Sequence, residues 1–475
     1  MSKKLEKTQV LVLGAGPGGY AAAFKAADLG LQVTLVDTEA NPGGVCLYKG
    51  CIPSKALLHV ARVINEAKEA SEFGLSFSSP KIDLQKLKAW KEEVVGKLTA
   101  GLSMLSKQRK INFIQGRGDL IDPHQLLIQG TDGEESILPF EYCILATGSR
   151  PFIPPHLALE SLHLWNSSKA LALEEVPSKL LVVGGGYIGL ELGSVYAALG
   201  SQVHVVEMLD TLLASVDRDL IRPLARRLEN TFHSIRLKTK VVSIVEKGTG
   251  LTIVLEDAEG KQSEEDFDKV LIAVGRKPNS SGIGLRACGI LKDEKDFIKV
   301  DAERRTNLPH IFAIGDVAGE PMLAHKATHE GIVAAEVIAG EKVIFDPRCI
   351  PAVVFTDPEV AWCGLTETDA KKQNLEVKVS RFPWTASGRA LSLGRSEGMT
   401  KIICDAATEQ VLGVGIVGVG AGDLISEGVL AIEMGTTASD LKLSIHPHPT
   451  LSETLMEAAE GISGTSLHVY KPKRG

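Results

Sequence analysis

"TQVLVLGAGPGGYAAAFKAADLGLQVTLVD", residues 8–37, and "SKLLVVGGGYIGLELGSVYAALGSQVHVVE", residues 178–207, spell the same pattern twice. Each runs from an apolar strand through a Gly-x-Gly-x-x-Gly turn into an Ala- or Leu-rich helix and a second strand ending in an acid. In both copies the acid follows the first glycine by 23 positions. One such triplet is weak evidence; strand, turn, helix and acid in the right order, twice, are strong. The first glycine (Gly14, Gly184) permits the tight turn, and the second (Gly16, Gly186) lets backbone N–H groups approach a pyrophosphate. The third (Gly19, Gly189) lets helix pack on strand. The helix N-terminus carries partial positive charge for the phosphates, and the acid (Asp37, Glu207) accepts hydrogen bonds from a ribose diol. Two ligand-free turns in an α/β sheet are the bland alternative, but the doubled pattern points to two bound dinucleotides.

The bulk composition agrees. A chain of 475 residues exceeds a single core, and about two to four domains are expected. Abundant glycine (47) among Val, Ile, Leu and Ala suits buried parallel strands meeting tight turns. A net charge of −7 argues against nucleic acid or an anionic membrane as partner. "LLVVGGGYIGLELGSVYAALG" is apolar enough to suggest a membrane span, but Glu191 and its glycines fit a buried strand, turn and helix better. The start "MSKKLEKTQV" shows no signal peptide, and seven scattered cysteines do not form a secreted framework. A reducing compartment, the cytoplasm, is therefore expected. Cys143, Cys288, Cys349, Cys363 and Cys404 lie mostly in apolar surroundings and read as buried spectators.

Between the repeats the periodicity predicts an amphipathic helix over Leu84–Lys107, then short strands and "YCILATGSRP". Pro151, Pro154 and Pro155 mark a linker. "DKVLIAVGRKPN" is expected to close the second unit, and "IFAIGDVAG" to return the chain to the first. From about Cys349 the texture becomes α+β, with strand-like "PAVVFT" and "GMTKIIC" before helical "DLISEGVLAIEMG" and "TLSETLMEAAEGI". The expected division is 1–150 and 280–348 for the first dinucleotide domain, 151–279 for the second, and 349–475 for a terminal domain.

Glu207 suits the free 2′-hydroxyl of NAD and repels the 2′-phosphate of NADP; no arginine follows before Arg218. Nine residues after Asp37 comes the pair Cys46 and Cys51 in "GGVCLYKGCIPSK", residues 43–55. A regular helix separates such residues by ~7.5 Å along its axis. A disulfide needs Cα atoms within roughly 4.4–6.8 Å, so the chain must curl at Gly50. Pro53 fits a first helical turn, setting Cys51 at the positive end of a helix that stabilises thiolate. Lys55, one turn on, either adds positive charge or is an ordinary solvated lysine. A zinc site lacks a second ligand pair. A structural staple is out of keeping with a reducing compartment; a redox pair can exchange two electrons with a flavin, which then passes hydride to a nicotinamide.

"GGVCLYKGCIPSK" resembles the active-site signature of the pyridine nucleotide–disulfide oxidoreductases. With "ATGSRP", "AVGRKPN", "AIGDVAGEPMLAHKA", "VVFTDPEVAWCGLTE" and "HPHPTLSE", residues 8–470 are similar in order to that family's dihydrolipoamide dehydrogenase branch. The resemblance implies two Rossmann-like α/β domains, for FAD and NAD, and a C-terminal α+β dimerisation domain. It implies that Cys46 exchanges with substrate, that Cys51 faces the flavin, and that Lys55, paired with Glu191, sits beside the ring. It implies FAD contacts from Gly118, Thr147, Gly148, Ser149, Asp316 and Ala324. Tyr187, Ile188, Glu191, Val241 and Gly275 would join the second glycine turn around NAD. Val45, Tyr48 and Lys49 depart from the branch, which more often has Thr, Asn and a small apolar residue there.

Dithiol exchange needs a base near neutral pH. "HPHPTLSE" offers His448 five residues before Glu453, a carboxylate able to orient it; on spacing alone Thr450-x-x-Glu453 reads first as a capping box. His446 is the rival histidine, and a His-x-His metal pair is a minor third reading. The resemblance favours His448 and Glu453 as catalytic, with His448 donated to the other subunit of a homodimer and no metal. The implied function is NAD-dependent oxidation of dihydrolipoamide carried by the acyltransferase of a 2-oxoacid dehydrogenase complex or a glycine cleavage lipoyl protein. A glutathione-type reductase would prefer NADP and often has alanine at the third glycine. Mercuric and large thioredoxin reductases carry an extra C-terminal thiol pair, absent from "HVYKPKRG". A flavin-bearing scaffold would not need Cys46, Cys51 and His448 together.

Overall fold

The computed structural model describes residues 3–470; Met1, Ser2 and the last five residues of the expected terminal domain, 471–475, lie outside the described residues. The first repeat builds the centre of a seven-stranded sheet. Its strands Thr8–Leu13 and Val33–Asp37 pair in parallel, Val10 opposite Val33, and Glu135–Leu145 flanks the first of them, also in parallel. Parallel strands covered on both faces must be apolar throughout, and Val10, Leu11 and Val12 are each 0 % exposed. Each such side chain contributes roughly 1.5–3 kcal/mol of burial. Ile311–Ala313 joins the same sheet alongside Cys143–Leu145, so the chain does return to the first unit after building the second. The helices Pro17–Asp28 and Ala324–Ile338 pack tightly where Gly18 meets Ala327 and Gly331 meets Gly18. The amphipathic helix runs Leu84–Gln108, capped by the Asp83 carboxylate on the Lys86 N–H.

The second repeat forms a five-stranded parallel sheet. Lys179–Val183 lies between Gln202–Val206 and Lys269–Ile272, the strand of "DKVLIAVGRKPN". A three-stranded antiparallel layer, Lys240–Lys247, Gly250–Glu256 and Gln262–Phe267, covers one face through Val241, Leu251, Ile253 and Leu255. Two short antiparallel strands, Ser149–Pro151 and Arg276–Pro278, tie the exit of the first sheet to the exit of the second.

The terminal region is a five-stranded antiparallel sheet, with Ala352–Val354, Glu359–Gly364, Val411–Gly418, Met399–Asp405 and Val377–Pro383 in that order. The helices Ala421–Glu433 and Glu453–Glu460 pack against it. It is held to the second unit by a buried spoke. Lys401, 1 % exposed, places its ammonium 2.7 Å from Asp217, 2.8 Å from Asp219 and 3.1 Å from Glu367. Although burial opposes it, the Lys401 ammonium holds both aspartates below the ordinary carboxylate range. No described helix is long and apolar enough to cross a membrane.

Candidate functional site

The two glycine turns superpose in chemistry as well as in sequence. Gly14 and Gly184 have φ of +100° and +108°, the left-handed region that favours glycine. A Cβ on Gly19 or Gly189 would strike the carbonyl oxygen of Gly14 or Gly184 at 1.8 or 2.3 Å. The first and third glycines are thus dictated by the chain itself. The middle one is not. A Cβ on Gly186 would meet nothing within 4 Å, and one on Gly16 would come no nearer than 4.0 Å to the Cα of Gly44. That glycine leaves a space at the helix N-terminus, where unpaired backbone N–H groups point. Asp37 accepts the Ala15 N–H (2.5 Å) and the Glu39 N–H (2.8 Å); Glu207 accepts the Gly185 N–H (2.6 Å) and the Leu209 N–H (2.8 Å). Each acid is held at the edge of its turn with carboxylate lone pairs to spare. Burial pushes the Asp37 carboxyl up from its ordinary value, against the hydrogen bonds it accepts.

From the first turn a long cleft runs past Asp37, Thr147, Gly148, Asp316 and Ala324 to Cys46, Cys51 and Lys55. Its walls come from distant parts of the chain. Ser149 donates to Asp316 at 2.5 Å, while Arg276 donates to the Ser149 hydroxyl (2.7 Å) and carbonyl (2.8 Å). Thr147 and Asn279 exchange two hydrogen bonds, each 2.9 Å. Gly315, next to Asp316, donates its N–H at 2.6 Å to Glu330, which is 0 % exposed and paired with Arg304 and Lys326. At the far end Lys55 reaches Glu191 at 2.8 Å and lies 4.4 Å from the Phe355 ring centroid. The Phe355 N–H donates to the same carboxylate at 3.0 Å. Such a cleft fits a flavin dinucleotide: an open phosphate space at Gly16, an acid for the ribose at Asp37, and a dithiol with a paired lysine at the other end.

The cysteines sit where two helices break. Gly44–Lys49 ends and Cys51–Glu69 begins at Gly50, the curl the spacing required. A Cβ on Gly50 would fall 2.8 Å from the Val45 carbonyl oxygen. Both side chains are free thiols and they hydrogen-bond to each other. That hydrogen bond, with burial, pushes the Cys46 thiol up. The same bond and Lys55 bring Cys51 down to about 7, against burial and Glu191. Cys51, first residue of its helix, is the thiolate of the pair. The residues that depart from the family pattern are accommodated: Lys49 pairs with Glu39 at 2.7 Å, the Tyr48 hydroxyl donates to the Asn41 carbonyl at 3.2 Å, and Val45 is exposed.

His448 lies elsewhere. Its Nδ1 is 2.9 Å from Glu453, whose other oxygen accepts the Thr450 N–H at 2.7 Å. The Thr450 hydroxyl does not complete a capping box; it donates to the Pro447 carbonyl, and Ser452 is the N-cap. Although burial opposes it, the Thr450 N–H and His448 hold the Glu453 carboxyl low. The His448 ring is 78 % exposed and does not line the cleft of its own chain. The rival His446 is bonded to Glu427 at 2.7 Å.

Other expected contacts are distributed differently. Tyr187, Ile188 and Glu191, expected around NAD, line the first unit's cleft, brought there by the first turns of the helix Tyr187–Leu199. Burial pushes the Tyr187 phenol up to about 12, keeping it neutral there. Gly118 does not line the cleft; its missing Cβ makes room for Leu13 and Leu126. The Val241 side chain is in the core, while Gly275, φ +134°, has open space before it. Sequence reasoning missed Arg276, Asn279 and Phe355, although "AVGRKPN" and "VVFTDPEVAWCGLTE" were in view. It also took Cys349 for a buried spectator; it is half-buried, and its thiol meets that of Cys363. The one acidic cluster with metal-like spacing among the described residues, Asp217, Asp219 and Glu367, already holds the Lys401 ammonium.

Comparison with known proteins agrees with this arrangement. Residues 8–331 match the pyridine nucleotide-disulphide oxidoreductase pattern, and residues 350–459 that family's dimerisation domain. The chain is 50 % identical over 465 residues to a dihydrolipoyl dehydrogenase from Haemophilus influenzae, covering 98 % of this chain and 97 % of the relative. It is 48 % identical to one from Vibrio parahaemolyticus over the same shares. Among solved structures, LpdA from Mycobacterium tuberculosis superposes with a TM-score of 0.88 at 28 % identity, covering 96 % of this chain and 99 % of that one. The HOCl-induced flavoprotein disulfide reductase RclA from Escherichia coli gives 0.84 at 27 %, covering 95 % and 99 %.

Proposed function

Because the chain belongs to the pyridine nucleotide-disulphide oxidoreductase family, we propose that it acts as a dihydrolipoyl dehydrogenase, oxidising protein-bound dihydrolipoamide to lipoamide and reducing NAD. The observation that carries this reading is the dithiol at the helix break, facing Lys55–Glu191 at the end of a dinucleotide cleft. His448, oriented by Glu453, takes a proton from a substrate thiol. The substrate thiolate attacks Cys46 in the Cys46–Cys51 disulfide, that S–S bond breaks, and Cys51 leaves as thiolate beside the Lys55 ammonium. The second substrate sulfur then attacks the sulfur bonded to Cys46, closing lipoamide; Cys46 leaves with the proton held by His448, and His448 takes the proton of the second substrate thiol. Bound FAD supplies acceptance of the two electrons held at the thiols and their delivery as hydride to NAD.

The preference for NAD over NADP rests on Glu207 at the edge of the second turn. The nearby cations are paired elsewhere, Arg218 with Asp210 and Arg236 with Glu265, both at 2.6 Å. His448, turned outward from its own chain, is supplied to a partner's cysteines across a homodimer. Large exposed apolar side chains at Leu430, Met434, Leu443 and Ile445 support such an interface, as does the family's dimerisation domain. The electron donor is a lipoyl-bearing acyltransferase or glycine cleavage protein in the cytoplasm. On the same reading the FAD domain comprises 1–150 and 280–348, the NAD domain 151–279 and the interface domain 349–475. The test is steady-state turnover with dihydrolipoamide and NAD against glutathione disulfide and NADPH. Turnover with the first pair alone is expected; the reverse overturns the reading. Cys46→Ser is expected to abolish lipoamide turnover and leave the dimer intact.

A further inference from the structure

A second thiol pair lies far along the chain from the first. Cys349 is in the segment that leads into the terminal sheet, three residues before the strand Ala352–Val354. That strand runs antiparallel to Glu359–Gly364 with Ala352 opposite Trp362, so the chain running back from Ala352 passes beside Cys363. Cys363 is 1 % exposed among Val414, Ile416 and Ile432, and Cys349 packs against that cluster. The two thiols lie close enough to perturb each other. The approach is held by backbone: Glu433, last residue of its helix, accepts the N–H groups of Arg348 at 2.9 Å and Cys349 at 3.3 Å. Cys349 is half-buried and opens, with Arg348, Gly364 and Gln410, onto a surface cleft of ≈ 570 Å³. One thiol is therefore reachable by a small solute, while its neighbour is sheltered within reach of it.

We infer that Cys349 and Cys363 are a modification site, an attacking and a resolving thiol that a hydroperoxide closes into an intramolecular disulfide. The Cys349 thiolate attacks one peroxide oxygen and the O–O bond breaks. This leaves a sulfenic acid on Cys349 and an alcohol, or water from hydrogen peroxide, which takes up a proton. The Cys363 sulfur then attacks the Cys349 sulfur, the S–O bond breaks, and hydroxide leaves with the Cys363 proton as water. Two thiols lose two electrons and the peroxide gains them. The neighbouring Cys363 thiol lowers that of Cys349, against burial and the Glu433 carboxylate, which assigns the attacking role to the accessible partner. Closure would link the chain entering the terminal sheet to that sheet's second strand. Neither sulfur takes part in the reaction proposed above, so this inference stands apart from it.

Trypsin makes the test direct, because Cys349–Lys371 is a single tryptic peptide containing both cysteines. Reduced holoprotein is freed of reductant, treated with hydrogen peroxide, denatured, alkylated and digested. The expected product is this peptide unalkylated and lighter by two hydrogens, restored to two alkyl groups by dithiothreitol. Peptides bearing the buried Cys143 and Cys404 should remain alkylated. In Cys349→Ala, peroxide should leave Cys363 fully alkylatable; in Cys363→Ala, Cys349 should pass on to sulfinic acid for lack of a resolving partner. Two results would overturn the inference. One is two alkyl groups on the peptide at a dose that has already blocked Cys46 and Cys51. The other is wild-type Cys349 over-oxidised while Cys363 still alkylates.

Discussion

Replacing Cys46 by alanine should restore the Cys51 thiol to ordinary weakness. Cys51 falls from 9.0 to about 7 chiefly because the Cys46 thiol donates to it, with Lys55 helping and burial and Glu191 opposing. At pH 7 roughly half of Cys51 is then thiolate in the reduced protein. Without the donor, burial and Glu191 face only Lys55 and a backbone hydrogen bond, and the group returns towards the unperturbed cysteine value of roughly 8.5, which leaves about 3 % thiolate at pH 7. That is a fall of roughly fifteenfold. A less acidic thiol is also a better nucleophile per thiolate, with a Brønsted slope of about 0.4–0.5, so the rate at one pH understates the change. The informative quantity is the midpoint of the pH–rate profile for iodoacetamide. It is read on the tryptic peptide Gly50–Lys55, which carries Cys51 alone. Wild type should show a midpoint near 7, Cys46→Ala one above 8, and Cys46→Ser, which keeps a hydroxyl donor, a value between. A Cys46→Ala midpoint still near 7 would refute the hydrogen-bond argument and transfer the effect to Lys55 and the helix end.

Lys401→Met leaves the buried Asp217 without its cation, while Arg381 still pairs with the half-buried Asp219 and Glu367, and should cost about 3–5 kcal/mol in denaturant unfolding at pH 7. The two aspartates are held below their unfolded values, so their contribution is present above about pH 4 and lost as pH falls further; the gap between wild type and variant should narrow on acidification. Gly186→Ala should leave the melting temperature unchanged, because its Cβ meets nothing, yet raise the KM for NAD at least several-fold; Gly184→Ala, strained at φ +108°, should lower the melting temperature. His448→Gln should lower kcat by about 10²–10⁴ with flavin content unchanged, and Glu453→Ala should lower it less. A retained kcat in His448→Gln would move the base elsewhere, His446 first.

What the sequence disclosed was whatever is local. The glycine turns, the acids 23 positions on, the curl at Gly50 and the helix from Leu84 follow from short-range geometry, and each is found. Contacts that need two units side by side were hidden. Arg276 reaches Ser149 only because two short strands join across the sheets. Tyr187 belongs by sequence to the second turn yet also lines the first unit's cleft, whereas the Lys55–Glu191 pair there was expected from the family resemblance. Lys401 stood in a plain strand pattern, with nothing to announce three carboxylates. Cys349 and Cys363 were judged singly; only strand register makes them a pair.

Glu191 is rooted in the helix of the second turn, grips an ammonium on the helix that carries Cys51, and takes an amide from the turn after the last sheet's first strand. Three pieces of the protein are thus bolted through one side chain a few ångströms from the sulfurs. Relative drift among them would be felt at Lys55 before anywhere else, and with it the poise of the thiolate. The molecule has given up independent movement of its parts in return for timing: the charge at the sulfur is right only while all three stand in alignment.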